Sequence, residues 1–369
     1  MIMQTLRRMD MVILLCLLAL AGLGLATLYA AVHLGDIALW QKQGYFWLLG
    51  GLVLLGMCFI PLRFVALSSL PMYVIALLLL LAVPFLGTVQ MGARRWLDLG
   101  VFYLQPSELM KWALLLFLAF WFASREIRYL RELVVPLIAI LVPAFLIMIQ
   151  PDLGTTILLL MAASIMIIAA GLPWRWLFCL LIGVLVSLPI LWSNMHNYQQ
   201  QRVLAFLHPQ SDPLGAGYHV IQSTIAIGSG GIFGKGFMQG TQARLHFLPE
   251  QHTDFIFAVL AEEGGLLIAG LLLLIYGVLI SRMLIIASRA HTRFGAMLAM
   301  GVVSIFVLYV AVNIGMVSGL LPVVGVPLPF ISYGGSALIT MLVSMGLVMR
   351  VAIESEGKIP WQRPGNPLA

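Results

Sequence analysis

The sequence predicts an all-α, polytopic integral membrane protein of about ten transmembrane helices, with one long extracytoplasmic loop between spans seven and eight. Three observations carry this. Of 369 residues, 62% are hydrophobic and 9% charged, and the mean hydropathy is +1.05, which no soluble domain of this length shows. Apolar runs of roughly 20 residues, the length that crosses a bilayer, recur along the chain. Only the interval 194–253 is both long and polar. Residues 1–369 therefore form a single transmembrane domain, with 194–253 as a loop within it.

The first span, 11–32, follows Arg7 and Arg8 and is too long for the apolar core of a signal peptide, so it reads as an uncleaved helix. The others fall near 44–61, 65–87, 107–123, 133–149, 153–172, 174–193, 254–281, 294–319 and 332–352. Ten spans put both termini on one side. Lys and Arg mark cytoplasmic loops, and with the termini inside, thirteen of the twenty basic residues fall inside. Lys42, Arg94, Arg95, Arg202, Lys235 and Arg244 fall outside, and Lys111 lies within a span. The long loop then faces outward, away from the cytoplasm. The net charge of +6 is scattered between apolar runs, which argues for membrane anchoring and against nucleic acid. Cys16, Cys58 and Cys179 lie in apolar runs without metal-ligand spacing and read as packing residues.

Four inward-running helices begin near a proline, Pro106, Pro151, Pro249 and Pro329. Proline suits a first turn, where its missing N–H has no partner anyway. In the long loop, 202–207 and 219–225 mix apolar and polar residues at helical spacing, as a segment in the headgroup layer does. The glycine-rich stretch from Gly228 to Gly236 resembles a phosphate loop only superficially. Ser229 and Gly236 stand where that pattern needs glycine and a hydroxyl residue, so it reads as flexible, tight-turning backbone. The loop hands over to a run that carries Asp254, Glu262 and Glu263 into hydrocarbon, where carboxylates are costly and by default functional. Arg94, Arg95 and Lys111 gather around one outer loop and the fourth span, either as an anion site or, for the arginines, as interfacial anchors.

Several blocks resemble the SEDS family of bacterial cell-wall polymerases (shape, elongation, division and sporulation). They are Gly92-Ala93-Arg94-Arg95-Trp96-Leu97, Gln105-Pro106-Ser107-Glu108 with Lys111, Gln150-Pro151-Asp152-Leu153-Gly154-Thr155, Gly228 to Gly236, and Leu248-Pro249-Glu250 with His252-Thr253-Asp254-Phe255. The most specific runs from Asn313 through Gly315, Gly319, Pro322, Gly325 and Pro329 to Ser332-Tyr333-Gly334-Gly335-Ser336. The stretches Gly315 to Gly319 and Val323 to Pro327 are similar to the RodA-like elongation subtype. Gly264 departs from the pattern, where a bulkier apolar residue is expected.

The resemblance implies a peptidoglycan glycosyltransferase that polymerises lipid II on the outer face and releases undecaprenyl diphosphate. Asp254 is then the candidate general base for an inverting transfer. Arg95 and Lys111 are candidates for the pyrophosphate charge, with Gln105, Glu108, His252 and Thr253 as further substrate-binding candidates. Glu108 can instead simply pair with Lys111 three residues on, and His252 can cap the helix. Glu262, Asp152, Ser332 and Tyr333 are expected to organise the site, and a buried glutamate to pair with Lys111 or Arg95. A divalent cation, Mg or Mn, can share the pyrophosphate, although the metal ligands are unknown. The implied partners are a class B penicillin-binding protein as transpeptidase, other elongation-complex proteins, lipid II and membrane lipid. A lipid-linked precursor flippase and a scaffold for a wall-synthesis complex are the competing readings.

Overall fold

Charged and polar residues at the ends of apolar runs set where the helices start. In the computed structural model, which describes residues 5, 7–33, 35–90, 93–98, 100, 103–125, 127, 129–173, scattered positions from 175 to 200, 216–241 and 250–356, Asp10 caps helix α1 (Met11–Val32). Its carboxylate accepts the N–H groups of Val12 and Ile13 at 3.1 and 3.2 Å. Asp36 caps α2 (Ile37–Met57) in the same way. This helix starts seven residues before the expected 44, so Gln41, Lys42 and Gln43 lie inside it. The third span divides into α3 (Leu62–Leu67) and α4 (Ser69–Leu86).

Between α4 and the next helix the chain forms strands that the hydropathy pattern does not announce. β1 (Thr88–Gln90), β2 (Ala93–Asp98) and β3 (Tyr103–Leu104) make a small antiparallel sheet, with Thr88 opposite Trp96 and Leu97 opposite Leu104. α5 (Pro106–Ser124) has Pro106 in its first turn, as expected. A 3-10 turn (Leu130–Leu133) leads into α6 (Val134–Ile149), and α7 (Leu153–Ala169) follows. The predicted seventh span, 174–193, and the segment 202–207 fall largely or wholly outside the described residues; the described residues of that span are helical.

The segment 219–225 belongs to α8 (Ala216–Gly230). α8 packs on the bundle: Ser223 is fully buried and donates to the Val317 carbonyl at 2.8 Å. α9 (Ile256–Ser288), α10 (Arg293–Val317) and α11 (Gly335–Ser355) complete the chain. Among the described residues, seven helices are long and apolar enough to cross a membrane, and α7 is a shorter apolar helix.

α5 and α10 stand at the centre, each 67% buried over its most apolar stretch, whereas α4 and α9 are 28% buried and turn Leu, Val and Ile outward. An exposed apolar face on a long helix is the signature of contact with lipid.

Candidate active site

Asp254 sits in the turn 250–255, one residue before the cap of α9, and is half-buried. The turn closes on itself, with the Thr253 and Phe255 N–H groups donating to the Glu250 carbonyl at 3.1 and 3.3 Å. The next layer pins its carbonyls one by one. That of His252 accepts from the Tyr333 N–H at 2.9 Å, that of Thr253 from the Ser332 hydroxyl at 2.6 Å, and that of Asp254 from the Asn313 amide at 2.9 Å. Three successive peptide units are thus fixed by α10 and the segment entering α11, which holds the backbone that carries the Asp254 side chain.

Supporting bonds reach further. The Gln251 amide donates to the Ala31 carbonyl at the end of α1, at 2.9 Å. Buried Gln43 donates to the Ser332 carbonyl at 3.0 Å and accepts from the Gly334 N–H at 3.3 Å. The His252 and Tyr333 rings lie 6.1 Å apart. Burial, with negative Asp36 adding to it, raises the Tyr333 phenol above its ordinary pKa, so it remains a neutral donor at neutral pH.

The Asp254 carboxylate rests against Gly325. That residue has φ +73°, and a Cβ there would stand 3.3 Å from Asp254 Oδ2. Its neighbour Val324 touches the start of α7, since a Cβ on Gly154 would meet the Val324 carbonyl at 2.6 Å. Asp152 caps that helix by accepting the Thr155 N–H and hydroxyl at 3.1 and 2.9 Å, and the Gln105 amide approaches it at 3.5 Å. Arg95 donates to the Gln150 and Pro151 carbonyls at 3.0 and 2.5 Å, which leaves part of its five-donor guanidinium for another acceptor. Arg94 is exposed and donates to the Pro84 carbonyl.

Lys111, with 1% of its side chain exposed, ion-pairs with Glu108 at 2.6 Å and hydrogen-bonds Tyr309 of α10. Tyr309 stands one turn before Asn313, so the same face of α10 holds both the buried lysine and the Asp254 peptide. Of the predicted residues, His252, Thr253, Ser332 and Tyr333 share the hydrogen-bonded turn of Asp254, Arg95, Gln105 and Asp152 gather at the start of α7, and Glu108 and Lys111 pair beside Tyr309, one turn from Asn313.

Glu262 joins none of these groups, and here the expected pairing with Lys111 or Arg95 is corrected. Glu262 is fully buried and pairs with Lys235 at 2.6 Å, while also accepting the Thr241 N–H and hydroxyl at 2.8 and 3.0 Å. The reason is a break in α9. Gly265, at φ +64°, interrupts the helix, and the freed carbonyls of Glu262 and Glu263 accept the N–H groups of Lys235 and Gly236 at 3.0 Å each. In return the Gly231 and Ile232 carbonyls accept from Leu266 and Leu267. The glycine-rich stretch is therefore a fitted plug, contrary to the flexible backbone expected. A Cβ on Gly234 would stand 2.0 Å from the Glu263 carbonyl.

Among the described residues no group of three or more His, Cys, Asp or Glu side chains is placed to hold a metal ion. Lys235, Tyr309, Gln43 and the pinning role of Asn313 escaped the residue-level reading. Gln43 follows Gln41 and Lys42 just before the expected span, so it gave no distinct signal.

Residues 5–357 match the family model of the FtsW, RodA and SpoVE cell cycle proteins. The chain is 47% identical over 346 residues to the peptidoglycan glycosyltransferase MrdB of Escherichia coli K12, covering 93% of each. It is 41% identical over 280 residues to stage V sporulation protein E of Bacillus subtilis, covering 75% of this chain and 76% of that one. In three dimensions it resembles a chain from a peptidoglycan synthase complex that coordinates polymerization and crosslinking, with a TM-score of 0.83 and 34% identity over 95% of this chain and 99% of the other. It also resembles the rod shape determining protein RodA of Thermus thermophilus, with a TM-score of 0.72 and 29% identity over 95% and 98%.

Proposed function

The chain belongs to the FtsW, RodA and SpoVE family and is a RodA-like peptidoglycan glycosyltransferase of cell elongation, and we propose that Asp254 is its general base. In this reading lipid II is both donor and acceptor. Asp254 takes the proton of the acceptor hydroxyl as that oxygen attacks the donor's anomeric carbon. The new glycosidic bond forms as the bond from that carbon to the diphosphate breaks, with inversion, and undecaprenyl diphosphate leaves. One carboxylate base suffices, without the second carboxylate that hydrolases use.

The observation that carries the reading is the pinning of three consecutive carbonyls, from His252 to Asp254, beside a glycine at which a Cβ would stand 3.3 Å from the carboxylate. A group needed only to start a helix requires no such frame. Arg95 offers its remaining N–H groups to the diphosphate, and buried Lys111 adds positive potential behind the corner that Gln105 and Asp152 form. In this reading the arginines at the ends of α1, α9 and α11 mark the cytoplasmic side, and the catalytic turn is on the opposite, outer side. A class B penicillin-binding protein is the transpeptidase partner in this reading, and the likeness to a synthase-complex chain supports it.

The test is polymerisation of purified lipid II by wild type and Asp254→Asn, with and without a cognate class B penicillin-binding protein. Wild type makes glycan, and the variant loses at least about a hundredfold in rate while keeping its thermal melt and its complex with the partner. Equal glycan from both proteins would place the base elsewhere.

A further inference from the structure

At the far end of α9 from Asp254, on the order of 40 Å away along the helix, a second feature has no part in glycosyl transfer. α1 and α9 leave between them an open, membrane-facing groove of about 740 Å³, lined by Val12, Leu273, Leu274, Val278 and Ile285. It is cut where Gly270 and Gly277 face empty space, with nothing within 4 Å of where a Cβ would stand. Val12, Arg282 and Ile285 also line an adjoining cavity of about 600 Å³, whose walls carry Arg7, Arg8 and Arg289 together with Asp10 and Glu356.

The charges there do not balance. Arg282 pairs with Asp10 at 2.6 Å and Arg8 with Glu356 at 3.1 Å. Arg7 and Arg289 are exposed and enter no ion pair among the described residues. Two unneutralised guanidinium groups thus stand at the mouth of a groove whose walls are apolar and turned to hydrocarbon. A free anion would use the first feature and leave the second unexplained, whereas a neutral lipid would do the reverse. A phosphate ester attached to acyl chains uses both.

We propose that this groove and its arginine-rich mouth form a binding site for an anionic phospholipid of the leaflet on the side of the termini. Its phosphate lies between Arg7 and Arg289, and one acyl chain lies along α9 past Gly277. Guanidinium suits the phosphate because it offers paired N–H donors, and each basic residue near a charged membrane surface strengthens such binding by roughly fivefold.

The test uses the full-length protein titrated with phosphatidylglycerol or phosphatidylcholine and followed by native mass spectrometry, alone and against inorganic phosphate. Wild type should retain phosphatidylglycerol in preference to phosphatidylcholine. The Arg7→Gln/Arg289→Gln double variant should lose roughly fivefold for each arginine removed. Gly277→Phe, which fills the groove where no atom is met, should also weaken phosphatidylglycerol. Thermal melts of both variants should match wild type, since the altered positions are exposed or open. Equal retention of the two lipids, or a double variant that holds phosphatidylglycerol like wild type, would overturn the proposal. So would phosphate competition combined with an ineffective Gly277→Phe, since that pair of results describes a site for the free anion.

Discussion

At the scale of single residues, the contact between Gly325 and the Asp254 carboxylate is the most exposed to test. Gly325→Ala places a side chain at φ +73°, a conformation that costs an L-residue roughly 1–2 kcal/mol, and sets a methyl 3.3 Å from Oδ2. The expected result is a melting point a few degrees lower and a kcat down by roughly tenfold or more, with little change in KM for lipid II. An unaltered kcat in a folded protein would show that the carboxylate does not work from this position. Tyr309→Phe removes one of the two hydrogen-bond partners of buried Lys111 while leaving Glu108. Loss of one hydrogen bond to a charged group should cost about 1.5–3 kcal/mol, read as a lower melting point. Asp254 was legible as a candidate because a carboxylate at the edge of an apolar run needs a reason and the family resemblance supplies one. Tyr309 was not, because an aromatic residue in a membrane helix is ordinary until its partner on α5 is known.

At the scale of elements, the break in α9 and the plug that fills it act as a unit. Buried Glu262 is matched by Lys235, 27 residues earlier in the chain, and by Thr241. Lys235→Met should destabilise the protein by about 3 kcal/mol, because it leaves a carboxylate buried without its cation. Lys235→Met combined with Glu262→Met should recover most of that loss, which thermal melts of both variants would show. Gly234→Ala has no comparable rescue. Its Cβ meets backbone at 2.0 Å, so the plug must leave the break and expose the carbonyls of Glu262 and Glu263. The expectation is a poorly folded protein. Hydropathy located the eighth span because length and apolarity suffice for that. It did not locate the break, since two adjacent glycines in a membrane helix are common and only the fit with a distant glycine-rich stretch gives Gly265 its meaning. The sheet over 88–104 was hidden for a related reason: strands this short carry too little alternation to register beside apolar runs of helical length.

At the scale of the whole molecule, the order and type of the spans were largely readable, because a bilayer admits few alternatives to helices. The packing partners were not, since lipid and protein interiors are equally apolar and a periodic pattern does not say which faces which. Hence the lodging of α8 against α9 and α10 was not among the expectations. The bonds of Gln43 carry a consequence for how the enzyme comes into being. Its partners are 289 and 291 residues away, in the segment that enters the last helix. A nascent chain emerging into the membrane therefore carries Asp254 before it carries Ser332 and Tyr333, and through that interval the carbonyls of His252 and Thr253 lack these partners. With Asp254 as the proposed base, a chain that ends before Ser332 should make no glycan.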